Sequence, residues 1–169
     1  MENPKPRMWR RLKIPALILL VLVPSMALIL PDMTILKKTA RQSEAKVMLH
    51  EVFVAATRMK AAHNTYNVSQ ISQLGLTLKG ERYSYWYAVN GIPTAIPGSS
   101  LAKSPCDTTT PPTSVKPIAT AETFIVVAKG NLDLDATCDE WSLTETRQLK
   151  NTLNDIQTGW ARWVPWLND

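Results

Sequence analysis

Seventeen consecutive uncharged residues, Ile14 to Leu30, constrain this chain more than anything else in it. The run reads IPALILLVLVPSMALIL, and basic residues flank it: Lys5, Arg7, Arg10, Arg11 and Lys13 before, Lys37, Lys38, Arg41 and Lys46 after. As a helix it would be roughly 25 Å long, slightly short of a hydrocarbon core of about 30 Å, and Met33, Ile35 and Leu36 can extend it. A single span in lipid must satisfy its own backbone, so a helix is the form expected. Pro15 falls in the first turn, where a missing N–H is tolerated, whereas Pro24 is interior and is expected to kink the helix. The run reads as a membrane anchor, with Ile14, Leu17, Leu20, Pro24, Leu28 and Pro31 along it. A cleaved signal peptide is the alternative, because Ser25-Met26-Ala27 offers small residues at its end. Cleavage there would leave Leu28-Ile29-Leu30 as an apolar new terminus. A buried core helix would be a third way to use such a run, and the flanking charge disfavours it.

The division expected is a basic cytoplasmic tail (1–13), a membrane helix (14–36), a globular domain (37–158) and a Trp-rich tail (159–169). The formal net charge is +5. Five basic residues stand against Glu2 before Pro31, and fourteen against thirteen acidic residues from Asp32 onward. The excess therefore belongs to the anchor, where it suits anionic headgroups, and no nucleic-acid partner is expected. Charge on both sides of the run orients it only weakly, but the long polar part follows it.

From Lys37 to about Asn64 the pattern is helical. Ala45, Met48, Leu49, Val52, Phe53, Ala56, Met59 and His63 recur at steps of three and four, so this stripe should lie on a sheet. His63 reads as a helix C-terminal group and His50 as a lone solvated or half-buried histidine, since neither has metal-ligand spacing. Tyr83–Val89 has strand composition and ends at the turn pair Asn90-Gly91. Residues 92–117 read as a long Pro-rich loop. Thr123–Ala128 is a continuous apolar run, as expected of a central strand. Glu140–Leu143 and Arg147–Lys150 read as strands joined around Thr144-Glu145-Thr146. One helix with three or four sequential strands makes an α+β fold, a long helix packed on a small antiparallel sheet. Two cysteines, Cys106 and Cys138, lie in two loops; outside the cytoplasm one disulfide is favoured over two thiols.

Several short segments resemble bacterial type IV pilins. Gln42-Ser43-Glu44-Ala45-Lys46, then Asn64-Thr65-Tyr66, are similar to the start of a pilin globular domain. Gly80-Glu81-Arg82-Tyr83-Ser84-Tyr85 resembles their G-x-R-Y-x-Y first strand. The segment from Gly130 to Trp141 is similar to the G-N-x-D-x-D-A-x-x-D-x-W pattern of deltaproteobacterial-type pilins, and Pro31 stands where a proline ends the pilin membrane segment. The resemblance covers roughly residues 31–156. It implies a pilin-like fold and a role in a pilus or a type II secretion pseudopilus. Other pilin or pseudopilin subunits would be its partners, with a single-pass anchor in the inner membrane and the globular domain periplasmic or extracellular. Pilins carry G-F-T-L-x-E where their peptidase cuts; Trp9-Arg10-Arg11-Leu12-Lys13-Ile14 stands here, and only Leu12 fits. The expectation is therefore an uncleaved, pilin-like accessory subunit, or a tethered binding module that keeps the fold without polymerising.

Chemistry is sparse. No phosphate loop, G-x-S-x-G or H-E-x-x-H occurs, and no catalytic residue is expected. Asp133, Asp135, Thr137 and Asp139 alternate as oxygen ligands do in a calcium loop, although Cys138 holds the place of the turn glycine. A solvated Asx-turn is the competing reading, and otherwise no cofactor is expected. Trp160, Trp163 and Trp166 in the tail read either as packing on the sheet or as a patch for a partner or the membrane interface.

Overall fold

The structure, a computed structural model, describes residues 9–133 and 136–156; for residues 9–35 it describes the backbone only. The chain divides into two compact units, residues 1–37 and 38–169. Helix α1 runs Trp9–His63. In the first unit the anchor positions Ile14, Leu17, Leu20, Pro24, Leu28 and Pro31 fall on α1, and their side chains lie outside the described residues. Where side chains are described, no helix is long and apolar enough to cross a membrane; the Ile14–Leu30 run is not among those residues.

In the second unit the helix ends as its sequence predicts. Asn64 takes a left-handed conformation (φ 56°) and its N–H bonds the Lys60 carbonyl at 2.8 Å. Such a residue closes a helix because asparagine tolerates positive φ better than most residues. Six strands follow: β1 (Tyr83–Val89), β2 (Ile92–Ala95), β3 (Ile118–Ala119), β4 (Phe124–Gly130), β5 (Asp139–Thr144) and β6 (Leu149–Leu153). They form one sheet of order β2-β1-β4-β5-β6, with β3 also paired to β4, and every pairing is antiparallel. β4 is central, as its unbroken apolar run predicts.

Three expectations need correction. The sheet has six strands, not three or four. Ile92–Ala95 is not loop but the outer strand of a hairpin, turned by Asn90 (φ 50°) and Gly91 (φ 78°). Both turn residues have positive φ, the twist that suits hairpins. Pro93 conceals this strand in the sequence; it is tolerated because β2 is an edge, where a missing N–H deprives no neighbour. Finally, β6 starts at Leu149, two residues later than its composition suggests. Arg147 adopts φ 62° in the connection, and its N–H bonds the Thr144 carbonyl at 3.0 Å, so the turn consumes residues that read as strand.

The central strands β1, β4 and β5 are buried on both faces. One face meets α1: Tyr83, Tyr85, Tyr87, Phe124, Val126 and Leu143 pack with Ala45, Leu49, Val52, Phe53 and Ala56. Phe124 is the hub, its ring 5.9 Å from Phe53, 4.9 Å from Tyr66 and 6.0 Å from Tyr87. The alternate residues Ser84, Trp86, Ala88, Val127, Lys129, Glu140 and Ser142 face the other way and are also buried. Over them lies the Pro-rich segment, which touches the sheet where Lys129 Nζ meets Thr110 Oγ1 (3.4 Å) and where Ser114 donates to Glu140. This segment is therefore a third layer. Cys106 on it is bonded to Cys138 beside β5, with Cα atoms 5.4 Å apart, as expected for one disulfide.

Candidate functional site

Gln42, Tyr83 and Trp141 lie far apart in the chain, yet they close on one another. Their meeting point is Asp139, the first residue of β5, which is fully buried. Its Oδ1 accepts from Gln42 Nε2 (3.0 Å), Asn151 Nδ2 (2.9 Å) and the Asp155 N–H (3.3 Å). Its Oδ2 accepts from the Tyr83 hydroxyl (2.6 Å) and from Trp141 Nε1. Five donors from α1, β1, β5, β6 and the chain after β6 thus converge on one carboxylate. Burying a charge without a counter-ion is tolerable only where hydrogen bonds replace water, and here they do.

A second carboxylate, Glu44, lies close to Gln42 on α1. Its Oε1 accepts the N–H groups of Glu81, Arg82 and Tyr83 at 3.0, 3.1 and 3.3 Å, and the Tyr85 hydroxyl at 3.3 Å. It thereby satisfies the backbone as β1 enters the sheet. Burial pushes the Tyr83 and Tyr85 phenols well above the usual range, with the Asp139 carboxylate adding to Tyr83 and Glu44 to Tyr85; burial likewise raises Tyr87. The two motif glycines make room for this assembly. A Cβ at Gly130 would lie 2.4 Å from the Tyr83 ring, and one at Gly80 would lie 2.7 Å from the Tyr83 carbonyl oxygen. Gln42, Glu44, Gly80, Tyr83, Tyr85, Gly130, Asp139 and Trp141 thus form a clamp that fastens helix to sheet.

Asp139 serves inside this clamp as an acceptor and not as a loop ligand, which removes it from the predicted calcium set. Asp133 pairs with Lys38 at 2.6 Å, and its N–H bonds Asn131 Oδ1 at 2.8 Å, the Asx-turn of the competing reading. Thr137 is half-buried and Asp135 lies outside the described residues. Among the described residues no group of three or more His, Cys, Asp or Glu is placed to hold a metal. Trp160, Trp163 and Trp166 lie outside the described residues. His63 ends α1 as expected, and His50 is exposed with its ring stacked on Phe53 at 6.0 Å.

Sequence reasoning named Asp139 as a calcium ligand and Gln42 only within a longer segment, and it did not name Asn151 or Asp155. A signal was present: D-x-W places Asp139 and Trp141 on the same face of a strand, since side chains alternate. No protein-family model, curated protein or solved structure matches the chain.

Proposed function

We propose that this chain is a structural or accessory subunit of a type IV pilus or type II secretion-like pseudopilus. It is held in the inner membrane by the Ile14–Leu30 run, with its globular unit outside the cytoplasm, and it acts by packing rather than by catalysis. The observation that carries the reading is the Asp139 clamp: three separated segments resembling pilin motifs are joined through their motif residues. A helix fastened to an antiparallel sheet, directly after an apolar run, suits a subunit that hands its load to a membrane-embedded stem. The Cys106–Cys138 bond suits an oxidising compartment.

A second reading is a tethered binding module that keeps the fold and does not polymerise. It is favoured by Trp9–Ile14, which lacks the cleavage glycine and the glutamate that would neutralise a neighbour's amino terminus. An uncut tail with five basic residues would be costly to bury in a filament core. The test is the intact mass of the membrane-purified protein together with its presence in sheared filaments. Full-length protein in the membrane and in filaments supports the accessory subunit. Full-length protein confined to the membrane supports the tethered module. A mass lacking everything through Ala27 would overturn both.

A further inference from the structure

A cleft of about 410 Å³ opens where α1 ends, and no residue of the Asp139 clamp lines it. Met59 and His63 of α1 form one wall, Thr65 and Asn67 the next, and Gln73 with the hairpin-turn residue Asn90 the third. The volume falls within the roughly 300–1,000 Å³ usual for small-molecule sites. Such sites are mostly apolar. Here half-buried Met59 is the one apolar side chain among those six, and the polar walls call for a polar ligand.

Bonds of the fold hold these walls in place. The Tyr66 N–H bonds the Thr120 carbonyl at 3.1 Å, and the Asn90 N–H bonds the Val68 carbonyl at 3.1 Å, beside a Val68–Val89 bridge. Gln73 Oε1 accepts three times, from the Ser69 N–H (2.7 Å), the Ser69 hydroxyl (3.2 Å) and the Gln70 N–H (3.2 Å). Three donors fix which end of that amide is oxygen, and Nε2 is left as a donor with no hydrogen bond among the described residues. Asn90 Nδ2 is turned to the Ser69 carbonyl at 3.5 Å, so Oδ1 is its spare acceptor. The Asn67 N–H bonds Thr65 Oγ1 at 3.0 Å, while its side-chain amide makes no hydrogen bond among the described residues. The cleft thus presents pre-set donors and acceptors that the fold itself does not use, which lowers the cost of binding.

The spare groups select a ligand class. Amides carry donor and acceptor side by side, and a hydroxyl can both give and take a hydrogen bond. A phosphate or carboxylate offers acceptors alone and needs a cation. Lys60, in the last turn of α1, is already held by Glu122 and by the Ala121 carbonyl at 2.9 Å each. An ammonium ligand needs a carboxylate, and none lines the cleft. We propose that this cleft binds a neutral, polyhydroxylated ligand, a single sugar or the end of a glycan. Neighbouring ring hydroxyls would pair with Asn67, Gln73 Nε2 and Asn90 Oδ1, and the C–H face of the ring would lie on the Met59 side chain. This goes beyond the subunit reading and does not depend on it.

The test is saturation-transfer NMR on the full chain in a phosphocholine detergent, since a glycoside detergent would compete. The probes are glucose, galactose, mannose and N-acetylglucosamine, with glucuronate and glucose 6-phosphate as charged counterparts. At least one neutral sugar is expected to receive saturation and to titrate with a Kd on the order of 1 mM, ordinary for a small ligand in an open site. Asn67→Ala and Asn90→Gly should each weaken it by about fivefold, the worth of one hydrogen bond. Glycine keeps the positive φ of Asn90 (50°), and circular dichroism melts of both variants should match wild type. Thr113→Ala, at an exposed position of the outer layer, should change nothing. Saturation of none of the four neutral sugars, or transfer that both cleft variants leave intact, would overturn the site. Tighter binding of either charged counterpart would overturn the ligand class. Presence in or absence from sheared filaments does not bear on the result, so this inference and the subunit reading fail separately.

Discussion

Replacing Asp139 by alanine removes the acceptor that five donors share. A buried donor stripped of its partner costs about 1–3 kcal/mol. The Tyr83 hydroxyl, Trp141 Nε1, Gln42 Nε2 and Asn151 Nδ2 are the side-chain donors affected. Gln42 Nε2 keeps a second bond to Asn154 Oδ1 at 3.2 Å, so its loss is partial. Counting Tyr83 and Trp141 in full and the amides lightly, the expected loss is about 4 kcal/mol. A domain of this size holds about 5–15 kcal/mol in all, so about a quarter to four-fifths of the margin goes. At roughly 3–4 °C per kcal/mol the melting temperature should fall by about 12–16 °C. Asp139→Asn keeps the shape and one acceptor oxygen but turns an amide toward two donors, and should lie between alanine and wild type. Thermal and urea melts of the full chain in detergent measure both. An alanine variant within about 1 kcal/mol of wild type would refute the clamp, because so small a loss means the donors find other partners at no cost.

Gly130→Ala should destabilise by about 3 kcal/mol or more, read by the same melts, because its Cβ meets the Tyr83 ring, which is itself held by Asp139. Reducing Cys106–Cys138, or replacing both by serine, should cost about 3–4 kcal/mol from the 32-residue separation it closes. The outer layer should become the first site cut in limited proteolysis, while α1 stays packed on the sheet. Stability should fall in alkali. The Tyr83, Tyr85 and Tyr87 phenols have raised folded-state values, so their contribution is complete below the unfolded value near pH 10 and is lost as pH rises above it. The slope should approach about 1.4 kcal/mol per pH unit per tyrosine, and Tyr87→Phe, which lies outside the clamp, should reduce it by one such share in pH-dependent melts.

What the chain specifies locally was legible before any fold. The three- and four-residue steps of Ala45, Leu49, Val52 and Ala56 mark a helix with one buried face, and that face is the one packed on the sheet. Tyr83–Val89 and the apolar run of β4 announce themselves by composition, and Asn90-Gly91 by its tolerance of positive φ. Such signals survive in sequence because period, propensity and turn chemistry act between near neighbours. The short strands β2 and β3 were illegible because four and two residues carry no period, and Pro93 argues against a strand unless its edge position is known.

The role of Asp139 belongs to tertiary structure alone. Its alternation with Asp133, Asp135 and Thr137 is a local pattern that suits a calcium loop. Its partners Gln42, Tyr83 and Asp155 stand 97, 56 and 16 residues away. Pairing of β1 and β5 on either side of β4 brings them together, and that pairing depends on sheet order rather than on any neighbouring residue. The same holds for the Pro-rich segment, which has a loop's composition and becomes a layer because Cys138, Glu140 and Lys129 lie beneath it. Local physics wrote the elements into the sequence; long-range contacts decided whether a carboxylate would face a cation or bind the fold together.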